Sequence, residues 1–161
     1  MTETDVATNR SFTQDQVQRG AKSLQFATFY LGSELFGINI LQVQEILLNQ
    51  RITPVPLASE YILGLIGLRG LIVTAVDLKR RLGLSQGETV EEPYQIVVTS
   101  NDSIASLQVD RIGDVLEIDV KQLQPAPDSL KDIDTDMLEG VTMLKNEILA
   151  VLNISAVLEV N

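Results

Sequence analysis

Two short apolar runs with a polar turn between them form the clearest pattern in the chain. Residues 65–68 and 71–76 are rich in Leu, Ile and Val, have strand length and are joined by Arg69-Gly70. Gly70 can adopt the positive φ of a tight turn without steric cost. The pattern therefore predicts a β-hairpin.

This hairpin leads directly into a predicted helical turn. Asp77 has a side chain that can cap a helix N-terminus, and Gly83 can end the helix in a left-handed conformation. Leu78 and Leu82 have the spacing of one buried helical face. The sequence thus predicts a unit of strand, turn, strand and helix over residues 64–82.

The same unit occurs a second time near the C-terminus. Residues 64–82 align without a gap on residues 140–158, where Lys145-Asn146 takes the place of the first turn and Asn153 that of the helix cap. Asn146 can adopt positive φ and Asn153 is a good N-cap, so each position keeps its physical role.

A second alignment extends the similarity upstream. Residues 29–47 align on residues 98–116, and turn dipeptides coincide in the two segments. We interpret both alignments as a degenerate duplication of two small all-β modules, roughly 23–84 and 94–161, and we leave open an exchange of strands between them. The polar loop 84–93 is predicted to be the linker. Chance similarity between apolar hairpins is the alternative.

The remaining pattern is one of short strands separated by turn residues. A first hairpin is predicted over 23–31 and 35–40, followed by a helical turn that runs into a strand ending at Ile52. Pro54 and Pro56 predict an extended edge segment. Further strands are predicted at 94–100, 103–109 and 114–120, and short helical pieces near Val43, near Tyr61, at 78–82 and at 155–160.

Composition excludes several kinds of function. The formal net charge of −10 argues against a nucleic-acid partner and against an anionic membrane surface. The chain has no cysteine and no histidine, which removes disulfides, the usual zinc sites and nucleophile–histidine pairs. No apolar run is long enough to span a membrane. Residues 1–22 are polar and predict a disordered N-terminal tail.

Acidic residues suggest two further chemistries. Asp132, Asp134 and Asp136 have the spacing of the first ligands of a calcium loop, but the loop glycine is missing and Met143 occupies the distal ligand position, so we predict no metal site. Pairs among the 22 acidic residues can perform acid–base catalysis. Because no motif positions such a pair, we predict that the chain is not an enzyme and needs no cofactor.

Four motifs in order carry a resemblance to a known family. They are the FGI-x-I-x-x-V-x-E-I stretch at 36–46, the LRG turn at 68–70, the VDL of 76–78 and a late hairpin running from EGV to LNI. Across nearly all of residues 24–158 the chain resembles the CheW-type coupling proteins of bacterial chemotaxis. The resemblance implies an all-β fold of two SH3-like five-stranded β-barrels packed side by side, with short helical turns and no catalysis.

The resemblance also implies partners and a location. It implies a scaffold that couples the cytoplasmic tips of chemoreceptors to the regulatory domain of a CheA-type histidine kinase, in a cytoplasmic signalling array and without direct membrane insertion. An adaptor of a pilus-type or other chemosensory pathway is the alternative within the family. A β-barrel that binds a peptide or a small ligand, for example at a sheet edge, is the alternative outside it.

By the same resemblance, six residues are expected to bind partners. An apolar groove between the barrels would receive the receptor tip, and a charged pair would lie beside it. The expected residues are Val43, Gly64, Val141 and Met143 in the groove, and Glu45 and Arg69 in the charged pair. The competing interpretations are core packing for Val43, a backbone requirement for Gly64 and a solvated surface charge for Arg69.

Overall fold

The computed structural model describes residues 23–84, 87, 90–127 and 133–159. The predicted tail 1–22 and parts of the predicted linker lie outside these residues. The strands are β1 (Ser23–Leu31), β2 (Glu34–Asn39), β3 (Val43–Leu48), β4 (Ile62–Leu68), β5 (Leu71–Asp77), β6 (Tyr94–Ser100), β7 (Ser103–Val109), β8 (Arg111–Asp119), β9 (Leu138–Met143) and β10 (Ile148–Leu152). The α-helices are α1 (Leu78–Leu82) and α2 (Ile154–Val157), and 3₁₀ turns lie at Ile40–Gln42, Val120–Gln122 and Thr135–Met137.

These strands form two five-stranded sheets. The first sheet has the strand order β8-β1-β2-β10-β9, and the second has the order β3-β6-β7-β5-β4. Strand β10 runs parallel to β2, and β5 runs parallel to β7, whereas the other neighbouring strands are antiparallel. The predicted all-β class, with two five-stranded units and few short helices, is confirmed.

Each sheet curls until its two outer strands are joined. In the second sheet, Thr53 continues from β3 and forms an antiparallel bridge with Leu65 of β4. In the first sheet, Gln124 follows β8 and forms the same bridge with Val141 of β9. Backbone hydrogen bonds of 2.8 to 2.9 Å make both bridges. Each sheet therefore closes into a small barrel, which leaves little unpaired edge.

Sheet topology supports the predicted duplication. Exchanging the labels of β1–β5 with those of β6–β10 converts the strand order of the first sheet into that of the second. The same exchange converts the closing bridge of one barrel into that of the other, and the parallel pair β2–β10 into the parallel pair β7–β5. The chain crosses from one sheet to the other after β2 and again after β7, so each barrel takes strands from both halves. The loop 84–93 is consequently not a boundary between the sheets.

Buried apolar side chains form three clusters in the described part of the chain. One cluster lies in the first barrel around Phe26, and another lies in the second barrel around Ile66. The third cluster contains side chains from both sheets, such as Phe36 of β2 and Leu107 of β7, and from both helices. The two barrels therefore share a core and pack against each other through it.

Helix caps occur where the sequence predicts them. The Asp77 side chain accepts a hydrogen bond from the backbone N–H of Arg80 at the start of α1, and Gly83 ends this helix with a φ of 80°. The Asn153 side chain caps α2 by accepting from the backbone N–H of Ala156. These caps confirm that both copies of the hairpin lead into a short helix.

Some predicted local details are wrong. Near Tyr61 the chain forms a turn and no helix, because the backbone N–H of Ile62 donates to the carbonyl oxygen of Ser59 at 2.9 Å and β4 begins at Ile62. Strand β3 ends before Asn49, whose φ is 36°, and does not extend to Ile52. The turn of the β9–β10 hairpin is the longer loop 144–147, in which Asn146 does not have the expected positive φ.

Candidate partner-binding surface

Arg69 lies at the tip of the β4–β5 hairpin. Arg69 and Gly70 have left-handed φ angles of 53° and 84°, the combination found in type I′ hairpin turns. Leu68 and Leu71 pair directly beside the turn and hold it in register. Type I′ turns match the natural twist of the two strands. The backbone at Arg69 is therefore held in a defined conformation.

Glu45 of β3 forms an ion pair with Arg69. A guanidinium nitrogen donates to Glu45 Oε2 at 2.7 Å. This hydrogen bond, together with the charge of the carboxylate, raises the pKa of Arg69. Since β3 and β4 are the outer strands of the second sheet, the pair spans the closing edge of that barrel. The Arg69 side chain remains 76% exposed and that of Glu45 25% exposed.

Exposed apolar side chains lie on β3, which carries Glu45, and on β5, which follows Arg69. Ile46 and Leu48 alternate with half-buried residues along β3, and Leu71 and Ile72 begin β5 directly after the turn. Their exposed fractions lie between 41% and 75%. Apolar side chains beside a few charges are typical of protein-interaction surfaces. Sequence reasoning missed these residues because apolar runs predict core strands without showing which face stays uncovered.

Gly64 has a clear backbone role. Its φ is 148°, a conformation that residues with a Cβ rarely adopt. A Cβ at this position would overlap the carbonyl oxygen of Thr53 and lie 2.7 Å from its carbonyl carbon. Gly64 therefore permits the close approach that seals the second barrel, which supports the backbone interpretation of this residue.

The other predicted site residues have different surroundings. Val43 is half-buried and packs against the shared core, and Val141 is buried within that core. Met143, at the end of β9, is 72% exposed. The structure thus brings Glu45 and Arg69 together as a pair and places Val43 and Val141 at the core between the barrels. Their role in partner binding stays a prediction.

The free energy of unfolding is expected to depend on pH through Glu139 of β9. Desolvation raises the pKa of its carboxyl group, so the folded chain binds this proton more tightly than the unfolded chain does. The resulting stability is present below the ordinary glutamate pKa and is lost as the pH rises through the raised value. Because the Glu139 side chain is exposed, the effect should be small, and we expect Glu139→Gln to stabilise the protein at pH 7 by less than about 0.5 kcal/mol. Urea unfolding should show no difference at about pH 3.5, where both side chains are neutral; an equal gain at both pH values would contradict the assignment.

The described residues were searched for metal-binding groups and for membrane-spanning helices. Among them, no group of acidic side chains is placed to hold a metal ion. Asp132, part of the calcium-like motif, lies outside them. No helix in the same part of the chain is long and apolar enough to cross a membrane.

The fold and the surface together define a class of protein. Two β-barrels share one core, and the hairpin tip presents an ion pair and uncovered apolar side chains. These features provide directional charge and apolar contact area, which are the means of protein recognition. The molecule is an all-β protein-interaction module.

Comparison with known proteins gives the family. A model of the CheW-like domain matches residues 25–161. The chain is 30% identical over 133 residues to chemotaxis protein CheW of Rhizobium meliloti (strain 1021), covering 83% of this chain and 86% of the relative. It is 32% identical over 135 residues to chemotaxis protein CheW of Klebsiella aerogenes, covering 83% and 81%. The chain belongs to the CheW-like family.

A solved structure agrees with this assignment. The crystal structure of the scaffolding protein TtCheW from Thermoanaerobacter tengcongensis matches with a TM-score of 0.79 at 31% identity, covering 87% of this chain and 90% of that one. The predicted resemblance is confirmed. Family membership also confirms the prediction of a non-catalytic chemotaxis adaptor.

Proposed function

We propose that this chain couples the cytoplasmic tips of chemoreceptors to a CheA-type histidine kinase in bacterial chemotaxis. Its family supports an adaptor role. The observation that carries the proposal is the Arg69–Glu45 ion pair, held at 2.7 Å on an exposed hairpin tip at the closing edge of the second barrel. Such an adaptor acts in the cytoplasm, beside membrane receptors, and performs no chemistry of its own.

The ion pair is suited to recognition because it is formed before a partner arrives. Arg69 uses a guanidinium nitrogen to hold Glu45, and its remaining N–H donors can bind a partner carboxylate. A side chain held in place loses less conformational entropy on binding than a free one does. The neighbouring Leu71 and Ile72 supply the apolar area that a binding hot spot needs.

The receptor tip is proposed to pack in the groove between the barrels. Val43, Gly64 and Val141 would shape this groove from the core side, and Met143 would contribute an exposed apolar contact. The core shared by the two barrels supports this proposal, because a platform for two partners at once would need barrels that are packed together. An adaptor of a pilus-type pathway would use the same surfaces, and receptor and kinase identity would decide between the pathways.

The substitution Arg69→Glu tests this proposal. The new carboxylate would face Glu45 and any carboxylate of the partner, so we expect binding of kinase or receptor to weaken by about 2 kcal/mol or more, roughly thirtyfold. Because Arg69 is exposed, the free energy of unfolding should change by less than about 1 kcal/mol. Thermal unfolding and partner affinity should be measured on the same preparation.

Lys145→Glu is the matched control. Lys145 occupies the aligned position in the β9–β10 hairpin and is also exposed, so the substitution makes the same charge change on the other barrel. We expect Lys145→Glu to have no effect on the partner affinity that Arg69→Glu weakens. If Arg69→Glu alters neither receptor nor kinase affinity, the ion pair is only a surface feature and its assignment to the interface fails.

A further inference from the structure

Lys79, the second residue of α1, has a buried side chain. This side chain is 10% exposed, and its Nζ lies 2.7 Å from Oδ2 of Asp110, whose side chain is 14% exposed. Lysine and aspartate side chains are rarely buried unless they are paired, because burial removes their hydration. The pair is therefore sheltered from water, in contrast to the pair of Arg69 and Glu45, whose arginine is exposed.

Asp110 lies where the chain crosses from the second barrel to the first. It stands between β7 of the second barrel and β8 of the first. Its backbone N–H donates to the carbonyl oxygen of Tyr30 on β1 at 3.1 Å, and its Oδ2 accepts from the backbone N–H of Gly32 at 2.7 Å. Lys79 belongs to the helix that follows β5 of the second barrel. Asp110 therefore joins segments of both barrels.

The other crossover, between β2 and β3, is built differently. Residues 39–43 make this crossover and contain no charged side chain, so they form no ion pair. In the alignment of the two halves, Leu41 takes the place of Asp110 and is 79% exposed. Ser155 takes the place of Lys79. The duplication is thus broken at this point, since a buried ion pair fastens one crossover and not the other.

We propose that the Lys79–Asp110 pair is a joint that fixes the placement of the two barrels relative to each other. It binds α1, which follows the second barrel, to the turn that holds Gly32 in the first barrel. Without the pair, α1 loses this link, and a buried carboxylate without its cation turns toward water and releases Gly32. The barrels then shift about their shared core. Because the crossover at 39–43 lacks an ion pair, the shift opens the side of the molecule where Val43 lies.

Distances between spin labels on the full chain test this joint. The chain has no cysteine, so labels attach only where cysteines are introduced. Gln44→Cys on β3 and Val115→Cys on β8 place one label on each barrel at exposed positions, and Gln44→Cys with Asp102→Cys places both labels on the second barrel. We expect Lys79→Met to shift or widen the inter-barrel distance by about 2 Å or more and to leave the distance within the second barrel unchanged.

Two further variants make the test specific. Lys79→Met combined with Asp110→Asn leaves no unpaired buried charge, so it serves where the single variant does not fold, and the same change of distance is expected because the link to α1 is lost. Arg80→Met, on the same helix at a side chain that is 46% exposed, should leave both distances unchanged. An unchanged inter-barrel distance in either folded Lys79 variant overturns the proposal. An equal change within the second barrel also overturns it, since the whole fold would then have loosened.

Receptor binding measures the functional consequence of the joint, and this consequence rests on the proposed function. Loss of the joint should weaken the binding of receptor cytoplasmic fragments about fivefold or more, because the groove at Val43 lies between the barrels. Equal receptor affinities of the wild-type chain and of the Lys79 variants would overturn this positioning role. A wild-type chain that binds no receptor contradicts the proposed function, whereas the spin-label distances decide the joint in either case.

Discussion

Gly64→Ala is expected to lower the free energy of unfolding by about 3 kcal/mol or more. The added Cβ would overlap the carbonyl oxygen of Thr53 and lie 2.7 Å from its carbonyl carbon, and these backbone atoms cannot rotate away. Relief requires the bridge between Thr53 and Leu65 to shift, which opens the second barrel at its closing edge. The φ of 148° adds strain for any residue with a Cβ. Urea unfolding measures the loss directly.

Two other glycines serve as controls for this prediction. A Cβ at Gly67, on the same strand, would meet no atom within 4 Å, so Gly67→Ala should change stability by less than about 0.5 kcal/mol. Gly140 is the aligned glycine of the first barrel; its Cβ would lie 2.9 Å from the carbonyl oxygen of Gln124, and its φ is not left-handed. Gly140→Ala should therefore have an intermediate effect. Similar losses at Gly64 and Gly67 would contradict the role assigned to the closing bridge.

Arg81→Ala should cost about 2 to 3 kcal/mol of stability. The Arg81 guanidinium, on α1, donates to the carbonyl oxygens of Ala156, Val157 and Glu159 at 3.0, 2.9 and 2.6 Å. It also lies 4.9 Å from the centre of the Tyr61 ring. These carbonyl groups are at the C-terminal end of α2, where a helix lacks its own donors. Alanine removes the contact that ties the two helices together and leaves those acceptors without the arginine.

Neighbouring and conservative substitutions make the Arg81 prediction specific. Arg80 lies on the same helix and pairs with Asp77 at 3.5 Å with a side chain that is 46% exposed, so Arg80→Ala should cost less than about 1 kcal/mol. Arg81→Lys keeps the charge but loses the planar set of donors, so it should recover only part of the stability. If Arg81→Ala and Arg80→Ala have equal effects on the urea midpoint, Arg81 does not join the helices as described.

Local features of this fold could be predicted from the sequence because a few adjacent residues determine them. The Arg69-Gly70 turn follows from turn chemistry between two strand-length apolar runs, and both of its residues have the left-handed φ of a hairpin turn. Asp77 and Asn153 cap their helices because their short polar side chains reach a backbone N–H nearby. The Lys145-Asn146 turn was less predictable, since asparagine only tolerates positive φ whereas glycine favours it.

Arrangements between distant segments could not be predicted from local pattern. Two alignments indicate the duplication, but they do not show that the chain changes barrel after β2 and after β7. Glu45 and Arg69 were paired through family resemblance, since no sequence periodicity connects residues on different strands. The exposure of Leu71 and Ile72 was missed because the hydrophobic pattern is the same for covered and uncovered faces.

Co-sedimentation tests the central claim of a coupling scaffold most directly. Assembled receptor cytoplasmic fragments and a CheA-type kinase would be pelleted with and without the full chain, and with the Arg69→Glu and Lys145→Glu variants. Coupling predicts that the chain pellets with the receptor and increases the kinase in the pellet, that Arg69→Glu lowers this recruitment, and that Lys145→Glu does not. A chain that stays in the supernatant with both partners present, while remaining folded, would contradict the coupling function.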